Sequence, residues 1–331
     1  MPDGTTPAHS RPSEDATAST PRPGQTHFVA DVSQTPVAVV DKVDENAPAS
    51  SLWRDAWRDL RHRVLFWVSA ALILAVLLVA LFPGLFTSVD PRFCELRNSL
   101  GNPQPGHPFG FDRQGCDVYS RVIYGARASV SVGVLTTIGV VLLGGLMGAL
   151  AGFYGRWFDT ILSRITDIFF AIPLVLAAIV LGQVFSEGRT VLNVVAVLTV
   201  FGWPQVARIT RGAVMSVKNN DYVTASKALG ASRLSILGRH VIPNAAAPII
   251  VVATVSLGTF IVAEATLSFL GLGLPQSVLS WGHDIATAQS SLRTNPSVLL
   301  YPSVALALTV LSFIMMGDAV RDALDPKARK R

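Results

Sequence analysis

Six stretches of this chain free of Asp, Glu, Lys, Arg and His qualify, or come close to qualifying, as membrane spans: 64–89, 128–155, 168–186, 190–207, 241–263 and 294–317. A helix needs about 20 apolar residues to cross the hydrocarbon core of a bilayer. The windows reach or approach that length, the third by starting near Ile161 and taking in Asp167. The pattern predicts an all-α, polytopic membrane protein with six transmembrane helices. The first window follows 63 other residues and is too long for the apolar region of a secretory signal peptide, so it reads as a span that stays.

Ahead of the first span the chemistry changes twice. Residues 1–50 hold seven Pro, eleven Ser or Thr, and seven acidic against three basic residues, with no apolar periodicity, which predicts a disordered N-terminal tail. Residues 51–63 place Trp53, Trp57 and Leu60 at helical spacing between Arg54, Arg58, Arg61 and Arg63. That is the pattern of a short interfacial helix lying on the lipid surface and leading into the first span over 64–89.

Composition agrees with a membrane protein, since 50% of residues are hydrophobic and only 15% charged, against about 25% in soluble domains. A formal charge of +5 would suit nucleic acid, but its distribution has another origin. With a cytoplasmic N-terminus, seventeen of the Lys and Arg after residue 50 fall on the inner side and seven on the outer, as the positive-inside rule requires. The expectation is a protein of the inner (cytoplasmic) membrane with both termini in the cytoplasm and no nucleic-acid partner. It has an extracytoplasmic loop over 90–127, a five-helix core over 128–320 and a cytoplasmic tail over 321–331.

The longest inner loop, 208–240, keeps regular apolar positions in a basic context. Tyr222, Ala225 and Leu229, then Ser232 or Arg233, fall on one mildly apolar face of a short helix. Gly230 either breaks that helix or lets another backbone approach closely. Leu234, Ile236 and Leu237 lead on to Pro243, which opens the next span where a missing N–H costs little. Periodicity alone allows a surface connector as readily as a docking helix.

This loop resembles the motif of the permease subunits of binding-protein-dependent ATP-binding cassette (ABC) importers: Glu-Ala-Ala, three residues, Gly, nine residues, then Ile-x-Leu-Pro. Thr224, Ala225 and Ser226 stand where Glu-Ala-Ala would, followed by Gly230, His240, Ile242 and Pro243; Thr224, Ser226 and His240 depart from the pattern. The blocks HPFGFDRQGCDVYSRVIYGARASVSVG, ALGASRLSILGRHVIPN, AEATLSFLGLGLPQSVLSWG and GDAVRDALDP are similar to the second permease of dipeptide and oligopeptide importers, and the resemblance covers most of 54–327. It implies a type I importer permease fold, and a non-enzymatic chain forming half of a peptide translocation pathway. The implied partners are a second permease, two ATP-binding subunits and an extracytoplasmic solute-binding protein. Nickel and glutathione importers share the subfamily and supply the alternative solutes. The resemblance makes 222–231 the coupling helix, with Tyr222, Thr224, Ala225, Ser226, Lys227, Leu229, Gly230, Ala231, Arg233 and Pro243 facing or shaping the contact with the ATPase. The chain itself has no G-x-x-x-x-G-K-[ST] phosphate loop, so no cofactor is expected on it and ATP is assigned to partner chains.

Other positions carry expectations of their own. Gly144, Gly148 and Gly152 form two overlapping G-x-x-x-G patterns, for packing within the subunit or against the partner permease. Arg164 and Asp167 are spaced to pair, Pro173 to kink the third span, and Glu264 to reach water near the outer end of the fifth; Asp167, Pro173 and Glu264 are the candidates for gating or the pathway. Cys94 and Cys116, the only cysteines, both fall in the outer loop as disulfide candidates, with two free thiols as the alternative. His283 beside Asp284 lacks further ligand partners, and no metal or catalytic site is expected. A self-contained secondary transporter would carry internal repeats and ionisable groups near the midplane, and neither is evident.

Overall fold

In lipid every backbone N–H and C=O must be satisfied within its own segment, so the apolar windows become helices. The computed structural model describes residues 52–184 and 190–324; the tail expected over 1–50, Arg189 and residues 325–331 lie outside the described residues. The helices are α1 (Leu52–Leu60), α2 (Val64–Leu81), α3 (Val118–Tyr154), α4 (Arg156–Ala171), α5 (Leu174–Val184), α6 (Val191–Val217), α7 (Asp221–Ala228), α8 (Arg233–Ile236), α9 (Ile242–Phe269), α10 (Trp281–Ala288) and α11 (Ser297–Leu324). There is no β-strand among the described residues. Five helical segments are long and apolar enough to cross a membrane, and the pair α4 and α5 makes a sixth span if taken together across a 77° break.

Several boundaries differ from the apolar windows, for local reasons. Helix α3 starts at Val118, ten residues before its window, because Asp117 caps it by accepting from Ser120 N–H at 2.8 Å. Its 37 residues rise about 55 Å, more than the hydrocarbon needs, so Arg121 and Arg127 sit on a helix projecting from the span rather than in a loop. Helix α4 follows α3 after Gly155 alone (φ 64°), which places Arg156 and Arg164 within a helix too. Helices α6 and α11 run past their windows to take in Arg208, Arg211 and Arg321. Between α4 and α5, Pro173 forces Ile172 out of the helical region, to φ −94° and ψ 114°, and the chain turns there.

The most extensive helix pair is α3 with α6. They run parallel, and the Gly144, Gly148 and Gly152 stripe lies in register against the backbone of Trp203, Ala207 and Arg211. A Cβ added at Gly144 would stand 2.5 Å from the Trp203 carbonyl oxygen, and one at Gly152 2.8 Å from that of Arg211. The stripe therefore packs within the subunit. Around it lies the main apolar core, with Val140, Leu198, Trp203, Val206 and Phe260 buried. By contrast only 11% of the α2 window is buried within the chain. Its surface is left for lipid or a second subunit.

The spans alternate, so the chain has two ends. At the near end Arg63, at the start of α2, pairs with Asp322 at the finish of α11 at 2.8 Å, and Lys218 donates to the Gly152 carbonyl at 2.5 Å. At the far end the segment between α2 and α3 folds back on itself through the Cys94–Cys116 disulfide. Trp281 fixes α10 there by donating Nε1–H to the Val122 carbonyl at 2.8 Å, while its N–H meets Ser129 Oγ at 3.3 Å.

Candidate functional site

The near-end segment from α7 to the start of α9 is built to be both anchored and presented. Val223 is fully buried and packs with Val214, Ile236, Leu237, Val241, Ala245 and Ala149, which joins α7 to the ends of α3, α6 and α9. Burying one such side chain is worth about 1.5–3 kcal/mol. A π-helical turn, Leu237–Val241, lies between α8 and α9. Its i→i+5 bonding winds the chain wider than an α-helix, and Ile236 before it and Val241 at its end both enter the cluster.

Helix α7 ends in a Schellman motif: Ala231 N–H donates to the Ser226 carbonyl at 3.1 Å and Gly230 N–H to that of Lys227 at 3.0 Å. The motif needs a left-handed residue after the cap, and Gly230 has φ +83°. Nothing lies within 4 Å of a Cβ added there. In this chain Gly230 acts through backbone conformation, not close contact. Ser232 then caps α8 by accepting from Ser235 N–H at 3.3 Å.

The face read as apolar from the sequence points away from the chain. Tyr222 is 42% exposed, Leu229 88% and Leu234 70%, and Thr224, Ala225, Lys227, Ala231, Arg233 and Pro243 are exposed as well. Ser226 is half-buried, its hydroxyl donating to the Tyr222 carbonyl at 2.9 Å. Sequence reasoning missed Val223, the anchor. Its signal was its offset from the exposed row, one residue after Tyr222.

The pathway candidates are not brought together. Asp167 lies on α4 between Arg164 at 3.8 Å and Arg208 at 3.4 Å, all more than half exposed, and the Arg208 guanidinium also sits 4.2 Å above the Phe170 ring. The sequence anticipated Arg164 but not Arg208. A cavity of about 190 Å³ separates α3, α4 and α6, bordered by Thr166, Asp167, Arg208 and Arg211. Arg211 closes one side as a two-point pair with Asp159, Nη2 to Oδ2 at 2.7 Å. Pro173 marks the break between α4 and α5.

Glu264 corrects the expectation that it reaches water. It is fully buried at the far end of α9, and its Oε1 accepts from Ser268 Oγ at 2.7 Å. The reason is α10, which covers this end of α9 so closely that Gly282 lies against the Ala265 backbone. The sequence showed α10 only as part of a loop.

His283 belongs to that short helix, and its neighbour Asp284 is not free. Arg121 reaches across from α3, Nε to Oδ1 at 3.0 Å, and Asp112 stands 3.7 Å from the same Nε. Burial pushes the Asp284 carboxyl up from its ordinary pKa, against the opposing pull of Arg121. Among the described residues no group of three or more His, Cys, Asp or Glu is placed to hold a metal ion.

Comparison with known proteins places this geometry. Residues 144–330 match the family described as binding-protein-dependent transport system inner membrane component, and residues 51–103 match the N-terminal TM domain of oligopeptide transport permease C. The chain is 36% identical over 286 residues to the dipeptide transport system permease protein DppC of Alkalihalophilus pseudofirmus, covering 86% of this chain and 93% of that protein. It is 38% identical over 280 residues to the oligopeptide transport system permease protein OppC of Bacillus subtilis, with 85% and 91% covered. It is 35% identical over 278 residues to the glutathione transport system permease protein GsiD of Escherichia coli, with 84% and 91% covered. In fold it is similar to a chain of the inward-facing MetNI methionine ABC transporter, with a TM-score of 0.52 and 21% identity over 62% of this chain and 96% of that one.

Proposed function

The chain belongs to the inner-membrane components of binding-protein-dependent transport systems, and on that premise we propose that it forms one half of the peptide translocation pathway of an ABC importer. The near end faces the cytoplasm, supported by the excess of Lys and Arg in the segments that reach it. A second permease completes the pathway, a solute-binding protein delivers to the far end, and two ATP-binding subunits supply the energy. The chain performs no catalysis and holds no cofactor. The permeases named for dipeptides and oligopeptides support peptide as the solute; glutathione is the second reading, supported by the 35% identity to a glutathione permease.

The observation that carries the coupling role is the seating of the α7–α8 segment: buried through Val223, it presents Tyr222 of α7, Leu229 at its cap and Leu234 of α8 outward at the end of three spans. An ATPase groove that closes on this face pushes directly on α3, α6 and α9. Because Leu229 contributes almost nothing to the chain's own core, Leu229→Glu leaves insertion and yield unchanged while ATPase subunits cease to co-purify and uptake is lost. Normal ATP-driven uptake by this variant in proteoliposomes refutes the assignment. Uptake by the chain alone without ATP refutes the importer.

A further inference from the structure

We propose that a cavity at the far end, beside the disulfide-closed loop, receives an acidic side chain of the extracytoplasmic binding protein. The inference rests on the importer reading, which turns the far end outward. The cavity holds about 400 Å³ between the loop, the start of α3, and the stretch from α10 to α11. Its lining carries two guanidiniums, Arg113 and Arg121, and the His283 imidazole against one carboxylate, Asp112. Asp112 is already engaged: its Oδ1 accepts from the N–H groups of Gln114 at 2.8 Å and Cys116 at 2.9 Å, and its Oδ2 stands toward Arg121. Arg121 in turn is held by Asp284.

Two donors remain. The Arg113 side chain is exposed and makes no hydrogen bond or ion pair among the described residues. Ser291 is 2% exposed, lines the cavity, and its Oγ has no hydrogen-bond partner. A buried hydroxyl left unpaired is unfavourable, and a carboxylate is the group that accepts from a hydroxyl and a guanidinium together. Exposed Arg293 adds positive charge two residues further on. The cavity walls come mostly from the loop and the α10 region, with only the outer ends of α3 and α11 contributing Arg121 and Val298, so the occupant is a globular partner resting on the far end rather than a solute in transit. Because the disulfide and the Arg121–Asp284 pair fix both walls beforehand, little ordering cost opposes the contact.

The test uses the full complex, with second permease and both ATPases, in proteoliposomes, titrated with its solute-binding protein. Arg113→Glu raises the binding-protein concentration for half-maximal ATPase stimulation about tenfold, with basal ATPase unchanged. Ser291→Ala raises it about threefold. Arg127→Glu reverses an exposed charge on α3 outside the cavity lining and shifts it less than about twofold. An unaffected Arg113→Glu overturns the proposal, and so does an Arg127→Glu effect of the same size, which would mean diffuse attraction. A matching Arg113→Glu effect on stimulation by peptide alone, without binding protein, overturns it in favour of a site for the solute's own carboxylate. A wild-type complex that ignores the binding protein overturns the importer reading and the cavity with it; a stimulated wild type with an indifferent Arg113→Glu overturns the cavity alone.

Discussion

Replacing Gly230 separates what the proposed coupling segment needs for its own fold from what it would need for an ATPase partner. At φ +83° an L side chain pays about 1–2 kcal/mol for the left-handed conformation. Helix α7 has eight residues, far below the length at which a helix holds by itself in water, so it depends on the Val223 anchor and on this cap. Losing about 1–2 kcal/mol shifts the seated fraction roughly 5- to 30-fold. Amide exchange over 221–231 in the isolated, detergent-solubilised chain should therefore speed up in the order Gly, Asn, Ala, Val, because Asn tolerates the left-handed region and a β-branched residue does not. Gly230→Trp behaves like Gly230→Ala in that assay, since nothing in the chain lies within 4 Å of the added Cβ. On the proposed coupling role the two should diverge in the assembled complex, Trp abolishing coupled ATPase activity where Ala only weakens it, because the proposed ATPase contact fills the space the chain leaves empty. Equal exchange for Gly and Ala refutes the conformational argument. Equal coupling by Ala and Trp refutes close seating of the partner at this position.

The α3–α6 seam and the far-end loop are each open to a direct test. Gly148 lies against the Ala207 carbonyl, so Gly148→Leu must force two helices apart and costs about 1–3 kcal/mol or more; thermal unfolding in detergent should show a lowered midpoint, while Gly145→Ala, with nothing within 4 Å, should not. Reducing the Cys94–Cys116 bridge reopens a sequence separation of 22 residues and should weaken the loop by about 3 kcal/mol on the chain-entropy estimate. Non-reducing mass mapping of membrane-extracted protein checks the bridge, and two thiols alkylated without reduction would refute it.

How far the sequence could be read depended on how local each property is. Membrane residence and the number of spans followed from uninterrupted apolar length, a property of each segment by itself. The end of α7 was legible for the same reason, since a glycine after a short helix acts within its own turn. Pro173 was legible as a kink because it restricts the residue before it. What the sequence could not decide was direction. In a soluble helix the apolar face points inward, but lipid is as apolar as a leucine core, so a span can be apolar all round. Hydropathy therefore left open whether Gly148 faced α6 or a second subunit, and only the packed α3–α6 pair answered it.

The same limit explains the α7 segment, where periodicity found an apolar row but not that it faces outward while Val223 holds the helix from the other side. It explains Glu264, read as water-facing until the structure laid α10 over it. Arg121 with Asp284 is a contact 163 residues apart in sequence, and Arg208 with Asp167 one of 41. No spacing rule reaches so far. Such pairs exist only once the helices have been set side by side, because an ion pair is a property of two positions in space and the amino-acid order specifies each of them separately.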